Sequence, residues 1–226
     1  MTVPLLDVRD LVVRHGDRTL VDGVSFTVAA GETVGVTGPS GSGKSSTVQA
    51  VLQLRRAAAG QVLFEGRDLC ALPEAELRAV RPRIQPVFQD PYGSLSPRRR
   101  IRDQVAEPLR LHGRWAKGEG PSRVAELLAQ VGLDPALGDR LPHELSGGQC
   151  QRAGIARALA CAPKLLILDE PVSALDPSLR AGIVNLLLDL QESHRLGYLF
   201  ICHDHTLVRH VSHHVLALNE GRITEA

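Results

Sequence analysis

Residues 33–46 read TVGVTGPSGSGKSS, and this stretch decides the fold. Its first five residues form a short apolar run typical of a buried strand, and residues 44 to about 54 have the apolar period of a helix. Between them GPSGSGKS fits the pattern GxxxxGK[ST]. The glycines let the loop backbone turn its N–H groups toward an anion, and the helix N-terminus adds its positive dipole end. We therefore predict a site for the phosphates of a nucleoside triphosphate.

Two side chains of this loop have predicted roles. Lys44 can neutralise the β- and γ-phosphates, and the Ser45 hydroxyl can coordinate Mg²⁺. The residues expected to bind nucleotide here are Gly38, Pro39, Ser40, Gly41, Ser42, Gly43, Lys44, Ser45 and Ser46. An ordinary glycine-rich turn is the structural alternative, and a phosphate loop alone leaves kinases, GTPases and transport motors open.

Outward from this stretch, three further apolar runs are expected to be buried strands: residues 84–88, 165–168 and 198–202. Runs that are apolar on both faces and separated by helical stretches predict a parallel sheet with covered faces, and therefore an α/β core. Residues 5–13, 24–28 and 61–64 instead predict antiparallel strands with one wetted side.

Residues 101–160 contain no strand-like run, whereas residues 123–131 and 147–160 have helical periodicity. We read this as a helical insertion between two strands of the sheet. The expected organisation is one domain over residues 1–226, with a catalytic core and β layer at residues 1–88 and 161–226. The helical insertion would occupy residues 89–160.

Composition narrows the class of protein. The 226 residues are 43% hydrophobic and 23% charged, with a formal net charge of +1, as in a soluble globular protein. The small net charge and the 3% aromatic content argue against nucleic acid as a partner. The four cysteines lack metal-like spacing and are expected to be reduced thiols. Neither a signal peptide nor a run of 18 apolar residues is seen, so we expect a cytoplasmic chain.

Two carboxylates follow the apolar run 165–168. Ligands of open α/β sheets bind beyond the carboxyl ends of the strands, so Asp169 and Glu170 are expected to face the same crevice as the phosphate loop. Asp169 fits a residue that holds Mg²⁺, and Glu170 is placed to orient or deprotonate the attacking water. Capping of the next helix is the structural alternative. His203 follows another strand end and is either a γ-phosphate or water contact or simply a residue near a helix N-terminus.

A second helix terminus begins at Ser146-Gly147-Gly148-Gln149. The S-x-x-Q pattern predicts a capping box in which Ser146 caps the helix and Gln149 reaches back to the Ser146 N–H. The capping box does not account for Gly147 and Gly148, which are poor helix formers. A close approach to this backbone, such as a second contact with the same phosphates, would account for them.

The stretch Leu145-Ser-Gly-Gly-Gln149, 20 residues before Asp169, resembles the signature of ATP-binding cassette (ABC) ATPases. Gln89 is similar to the family's Q-loop glutamine, residues 173–176 (SALD) to its D-loop and His203 to its switch histidine. The resemblance implies a P-loop NTPase core of RecA-like α/β fold with an antiparallel β layer and an inserted α-helical subdomain.

The family resemblance also implies roles and partners. Two cassettes would pair head to tail around two MgATP molecules, each phosphate loop facing the partner's residues 146–149, and hydrolysis would drive transmembrane permease subunits. Gln89 would sense Mg²⁺ and water, and Asp176 would couple across the dimer. Whether the cassette pairs with itself or with a related second ATPase stays open.

Residues 88–98 (FQDPYGSLSPR), 142–146 (PHELS) and 169–176 (DEPVSALD) are similar to ATPase subunits of bacterial dipeptide, oligopeptide and nickel importers. This similarity implies a peripheral subunit on the cytoplasmic face of the inner membrane, with an external solute-binding protein as an indirect partner. Other importer or exporter ATPases, a soluble P-loop kinase and a non-transport cassette protein are the alternatives. His15 stands where the family usually has an aromatic residue against adenine, and Cys202 where it commonly has Ser or Thr.

Two weaker patterns have mainly structural interpretations. The basic run Arg98-Arg-Arg-Ile-Arg102 is a solvated turn or a docking segment for the membrane partner. His210, His213 and His214 have the i, i+3, i+4 spacing of one helix face. A polar helix surface is favoured there over a metal site, since no carboxylate or cysteine completes the set.

Overall fold

Two β-sheets organise the computed structural model, which describes residues 3–116 and 118–224. The strands are β1 (Leu6–His15), β2 (Arg18–Val28), β3 (Thr33–Thr37), β4 (Ala59–Phe64), β5 (Arg67–Asp68), β6 (Ile84–Val87), β7 (Leu165–Asp169), β8 (Gly197–Ile201), β9 (His214–Asn219) and β10 (Arg222–Thr224). The helices are α1 (Lys44–Val51), α2 (Glu74–Val80), α3 (Ile101–Leu111), α4 (Gly120–Gln130), α5 (Gly147–Ala160), α6 (Pro177–His194) and α7 (His205–Val211).

The larger sheet has the strand order β10-β9-β3-β8-β7-β6. Strands β9, β3, β8, β7 and β6 run parallel, and β10 pairs antiparallel with β9 at the edge. The four predicted core strands are all present within one residue of their expected ends, so the predicted parallel sheet is confirmed. Strands β9 and β10 were not predicted, because residues 214–224 mix apolar and polar side chains without a continuous apolar run.

The smaller sheet has the order β2-β1-β4-β5, and all of its pairs are antiparallel. Buried and exposed residues alternate along the second half of β2, as the one-sided wetting of the sequence pattern predicts. Strand β2 begins at Arg18, well before the predicted start at Val24, because it forms a hairpin with β1 that pairs His15 with Arg18.

Two hydrophobic cores lie on opposite faces of the parallel sheet. Leu166 and Leu168 of β7 pack into the core shared with α3–α6, whereas Leu165 and Ile167 pack into the core shared with α1 and the antiparallel sheet. All four side chains are fully buried. Burial of each contributes about 1.5–3 kcal/mol. The continuous apolar run LLIL thus reflects a strand covered on both faces.

Between β6 and β7 the described residues form helices and short 3₁₀ turns but no strand. Helix α5 packs against α3, α4 and α6 and joins this helical part to the sheet through β6. Three arginines of the basic run pair with acids of the same part: Arg99 with Glu107, and Arg100 and Arg102 with Asp139. Such exposed pairs are each worth at most about 1 kcal/mol, so they contribute little to the stability of this surface segment.

The interpretation of three histidines on one helix face is wrong. Helix α7 ends at Val211, and His214 begins strand β9. The His213 Nδ1 accepts a hydrogen bond from the Thr33 backbone N–H at 3.0 Å, and His214 lies 3.2 Å from Glu32. Parallel pairing of β9 with β3 overrides the helical spacing.

Among the helices described, none combines the length and hydropathy that a bilayer crossing requires.

Candidate functional site

A cleft of about 530 Å³ lies beyond the carboxyl ends of the parallel strands. Its walls come from the loop after β3, from Gln89 after β6, from Glu170 after β7 and from His203 after β8. The lining residues are Gly38, Pro39, Ser40, Lys44, Gln89, Glu170, His203 and His205. All but His205 were predicted, and residues distant in sequence therefore meet where an open α/β sheet binds its ligands.

The phosphate loop has a backbone that only glycine adopts readily. Gly38, Gly41 and Gly43 have φ angles of 147°, 80° and 107°. A Cβ on Gly38 would lie 2.1 Å from the backbone oxygen of Leu218, and one on Gly43 would lie 2.5 Å from that of Leu20. The backbone conformation therefore favours glycine at all three positions, and close packing of the neighbouring backbone also requires it at Gly38 and Gly43.

Helix α1 begins at Lys44 without a side-chain cap, since Gly43 occupies the N-cap position. Its first N–H groups therefore have no capping oxygen from the N-cap side chain. The Lys44 Nζ donates to the backbone oxygens of Gly38 and Pro39 at 2.7 and 2.9 Å. These bonds fix the ammonium group above the loop, where it adds charge to the positive end of the helix dipole.

Asp169, at the end of β7, is the partly buried acid of the site. Burial and then the charge of Glu170 raise the pKa of the Asp169 carboxyl, and Lys44 opposes this shift. Ser45 is exposed in the first turn of α1. Together with the Gln89 amide, these side chains offer only oxygen ligands, which fits the preference of Mg²⁺.

Glu170 is held in a left-handed conformation with φ of 53°. Its backbone N–H donates to the oxygen of Ile201 at 2.9 Å, and its Oε2 lies 2.7 Å from the His203 Nδ1. Neither Asp169 nor Glu170 caps the next helix, because Asp176 does so. A left-handed non-glycine residue is costly, so the structure holds this carboxylate at the cleft against a local preference.

The capping box at the second helix terminus is confirmed. The Gln149 N–H donates to Ser146 Oγ at 3.3 Å, and the Ser146 N–H donates to Gln149 Oε1 at 2.9 Å. None of residues 146–149 lines the cleft of the same chain. A Cβ on Gly148 would lie 3.3 Å from Leu179 of α6, so close helix packing accounts for part of the need for glycine there.

Asp176 and His15 also lie outside the cleft lining, as do the predicted residues Gly41, Ser42, Gly43, Ser45, Ser46 and Asp169. The Asp176 carboxylate accepts hydrogen bonds from the N–H groups of Ser178 and Leu179 as the N-cap of α6, and the Ser178 bonds lower its pKa. His15 ends β1 in the hairpin with β2.

A second cavity of about 420 Å³ adjoins the phosphate loop. Its lining comprises Arg18, Thr19, Leu20, Pro39, Ser40, Gly41, Ser42, Asn219, Glu220 and Gly221, without His15. Sequence reasoning missed its non-loop residues because they belong to strands and turns with no motif.

The sequence is similar to that of known transport ATPases. Residues 21–173 match the family model described as ABC transporter. The oligopeptide transport ATP-binding protein AppF of Bacillus subtilis is 49% identical over 93% of this chain and 64% of its own length. The OppD protein of Mycobacterium tuberculosis, of the same description, is 50% identical over 93% of this chain and 34% of its own length. The glutathione import ATP-binding protein GsiA of Escherichia coli K12 is 47% identical over 98% of this chain and 37% of its own length.

This chain thus spans from about a third to just under two thirds of the length of these relatives. Among solved structures, cbiO1 from Clostridium perfringens, part of the ABC transporter complex cbiONQ, superposes with a TM-score of 0.90 at 28% identity. The superposition covers 99% of this chain and 88% of cbiO1. The ATP-binding cassette MJ0796, in a dimeric post-hydrolysis state bound to ADP and Pi, gives a TM-score of 0.84 at 28% identity over 97% of both chains. The chain belongs to the ABC transporter family, and its fold is that of the ATP-binding cassette.

Proposed function

We propose that this chain binds and hydrolyses ATP as the nucleotide-binding part of a membrane transporter. The observation that carries the proposal is the convergence of Lys44, Gln89, Glu170 and His203 on one cleft beside an uncapped helix terminus. Phosphoryl transfer to water depends on positioning and charge neutralisation, and these groups supply both. The dimeric cassette structure bound to ADP and Pi supports the same chemistry.

In this proposal each residue has a defined task. The loop N–H groups and Lys44 hold the β- and γ-phosphates, and Glu170 accepts a proton from the attacking water. His203, 2.7 Å from Glu170, orients that carboxylate and contacts the γ-phosphate. Ser45, Asp169 and Gln89 would hold Mg²⁺. Bound there, Mg²⁺ neutralises charge on the phosphate oxygens.

The signature residues 146–149 would complete a second cassette's site. They lie outside the cleft of their own chain, and Ser146 at the N-terminus of α5 is exposed. A head-to-tail pair would place them against the partner's phosphates, and Asp176 would lie near that interface. The dimeric structure of MJ0796 supports such an arrangement.

The transported solute is proposed to be a peptide or a similarly small solute, as in the relatives named for oligopeptide transport and glutathione import. The chain would then bind transmembrane permease subunits at the cytoplasmic face of the inner membrane. An external solute-binding protein would be an indirect partner.

The proposal is tested by the solution mass of Glu170→Gln, measured by light scattering with and without MgATP. We expect a doubling of mass only with MgATP and hydrolysis at least ~100-fold slower than in the wild type, as for the loss of a general base. Glu192→Gln, an exposed change on α6, is the matched control and should hydrolyse ATP at the wild-type rate.

Near-normal turnover of Glu170→Gln would remove the role given to Glu170. A persistent monomer that binds ATP would point to a related second ATPase as partner or to a kinase. Normal phosphorylation of an acceptor by Gly147→Asp would favour the kinase over the paired cassette.

A further inference from the structure

Three side chains with different ligand atoms meet beside the cleft. A carboxylate oxygen of Glu170, the Sγ of Cys202 and a ring nitrogen of His203 all lie within 4.8 Å of one another. Glu170 and His203 line the cleft, and Cys202, which is 2% exposed, is the buried member of the group. Within the described residues no other set of three such side chains has ligand atoms this close together.

The backbone fixes the group by joining two neighbouring strand ends. Strands β7 and β8 pair in parallel as far as Asp169 and Ile201, and the Glu170 N–H then donates to the Ile201 oxygen at 2.9 Å. Cys202 and His203 follow β8 directly, and the Cys202 N–H donates to the Val36 oxygen of β3 at 3.3 Å. Both ligand-bearing segments are therefore anchored to the rigid centre of the sheet.

The spacing suits a small tetrahedral ion after minor side-chain movement. Ligand atoms around Zn²⁺ at its usual bond lengths lie about 3.3–3.8 Å apart. In this structure the Glu170 Oε2 and His203 Nδ1 are hydrogen-bonded at 2.7 Å, and one ligand atom from each of the three residues lies within 4.8 Å of the others. The His203 side chain is 63% exposed and that of Glu170 is 16% exposed, and both line the cleft, so an ion reaches these two ligands from the cleft.

The donor set selects the kind of metal. Thiolate and imidazole ligands favour Zn²⁺ and related transition metals, whereas Mg²⁺ prefers oxygen. We propose that Glu170, Cys202 and His203 form a binding site for Zn²⁺ or a similar transition-metal ion, distinct from the oxygen ligands Ser45, Gln89 and Asp169. Three protein ligands leave the fourth position of the ion facing the cleft.

Occupation of this site would stop hydrolysis, a consequence that rests on the proposed function. The metal would take the Glu170 carboxylate and the His203 imidazole out of their roles toward water and the γ-phosphate. Zn²⁺ binds cysteine as the thiolate, so binding would release the thiol proton.

The experiment uses Co²⁺ as a spectroscopic probe of the whole chain, followed by Zn²⁺ competition. We expect a thiolate-to-cobalt charge-transfer band that saturates at one ion per chain and that Zn²⁺ abolishes. Cys202→Ser should lose the band, whereas Cys161→Ser, a change at another buried cysteine, should keep it. Since loss of a supporting outer partner already weakens metal binding 10–100-fold, removal of the Cys202 ligand should weaken Zn²⁺ binding at least ~10-fold.

Turnover in buffered Zn²⁺ with excess MgATP is the second measurement. Each variant's rate is divided by its own rate without Zn²⁺, and Cys202→Ser should need at least ~10-fold more Zn²⁺ than wild type for half inhibition. Absence of a charge-transfer band in folded wild-type protein, or an equal band in Cys202→Ser, would overturn the site. A wild-type band without zinc inhibition would overturn its effect on hydrolysis. A band in a chain that hydrolyses no ATP would leave the metal site standing and refute the proposed function.

Discussion

The N-termini of α1 and α5 are built in opposite ways. The α1 terminus follows a glycine loop and has no side-chain cap, whereas Ser146 and Gln149 close the α5 terminus through a complete capping box. A local cap stabilises a helix but uses the donors that an anion would need. We infer that α1 gives up local stability for phosphate binding, whereas the N-terminus of α5 is stabilised by its own side chains.

The largest expected difference between the two termini is the loss of ATP turnover when the charge of Lys44 at α1 is removed. We expect Lys44→Ala to lower ATP turnover on the order of 100-fold or more, the typical loss when a preorganised donor is removed. Lys164→Ala is the matched control, because Lys164 is exposed and pairs with Glu65 on the surface. Steady-state hydrolysis rates of the two variants decide the matter, and equal rates would remove Lys44 from the site.

The next largest expected difference is in stability, between the variants Gly38→Ala near α1 and Gly148→Ala in α5. Gly38→Ala forces a Cβ against backbone at a φ of 147°, and we expect a stability loss of about 1–3 kcal/mol. Gly148→Ala gains helix propensity worth about 0.5–1 kcal/mol, which the tight contact with Leu179 offsets. Urea unfolding measures both changes, and a larger loss for Gly148→Ala would reverse the comparison.

Replacement of serine by alanine should also affect the two termini differently, with the larger loss of stability at α5. Ser146→Ala removes the cap of α5 and should cost about 0.5–2 kcal/mol. Ser45 is exposed and is not the N-cap of α1, so Ser45→Ala should change stability by less than about 0.5 kcal/mol. Similar losses in thermal or urea unfolding would show that α1 has a side-chain cap after all.

The smallest expected effect concerns the capped N-terminus of α6. Hydrogen bonds to Ser178 and Leu179 lower the pKa of Asp176 below its unfolded value of about 3.9. Its stabilisation is therefore complete above that unfolded value and is lost as the pH falls through the lower folded pKa. Melting temperatures between pH 6 and pH 2 should fall less steeply for Asp176→Asn than for wild type. Parallel curves would contradict this linkage.

Local patterns predicted those parts whose structure depends on nearby residues. The phosphate loop, the ends of α5 and the strand LLIL follow from glycine conformation, a four-residue cap and a continuous apolar run. Strand β9 could not be predicted in this way, because its hydrogen-bonding partner β3 lies about 180 residues earlier in the chain. The helical spacing of His210, His213 and His214 was misleading for the same reason.

The same distinction between local patterns and long-range pairing applies to the residues of the site. The sequence indicated Lys44, Asp169, Glu170 and His203 as site residues because each lies at or after the end of a predicted strand. The sequence could not show that Glu170 and His203 are hydrogen-bonded, or that the sulfur of Cys202 lies beside them. These contacts arise from pairing of β7 with β8, which no spacing along the chain encodes.

The sequence by itself therefore determined the α/β class, the phosphate loop, the acidic strand end and the capped signature helix. Each is set by backbone preference or burial within about ten residues. Only the tertiary structure decided the sheet order, the edge strands and the position of Cys202 beside Glu170 and His203. The physical reason is that strand neighbours are chosen by packing on both faces of the sheet, which joins residues far apart in the chain.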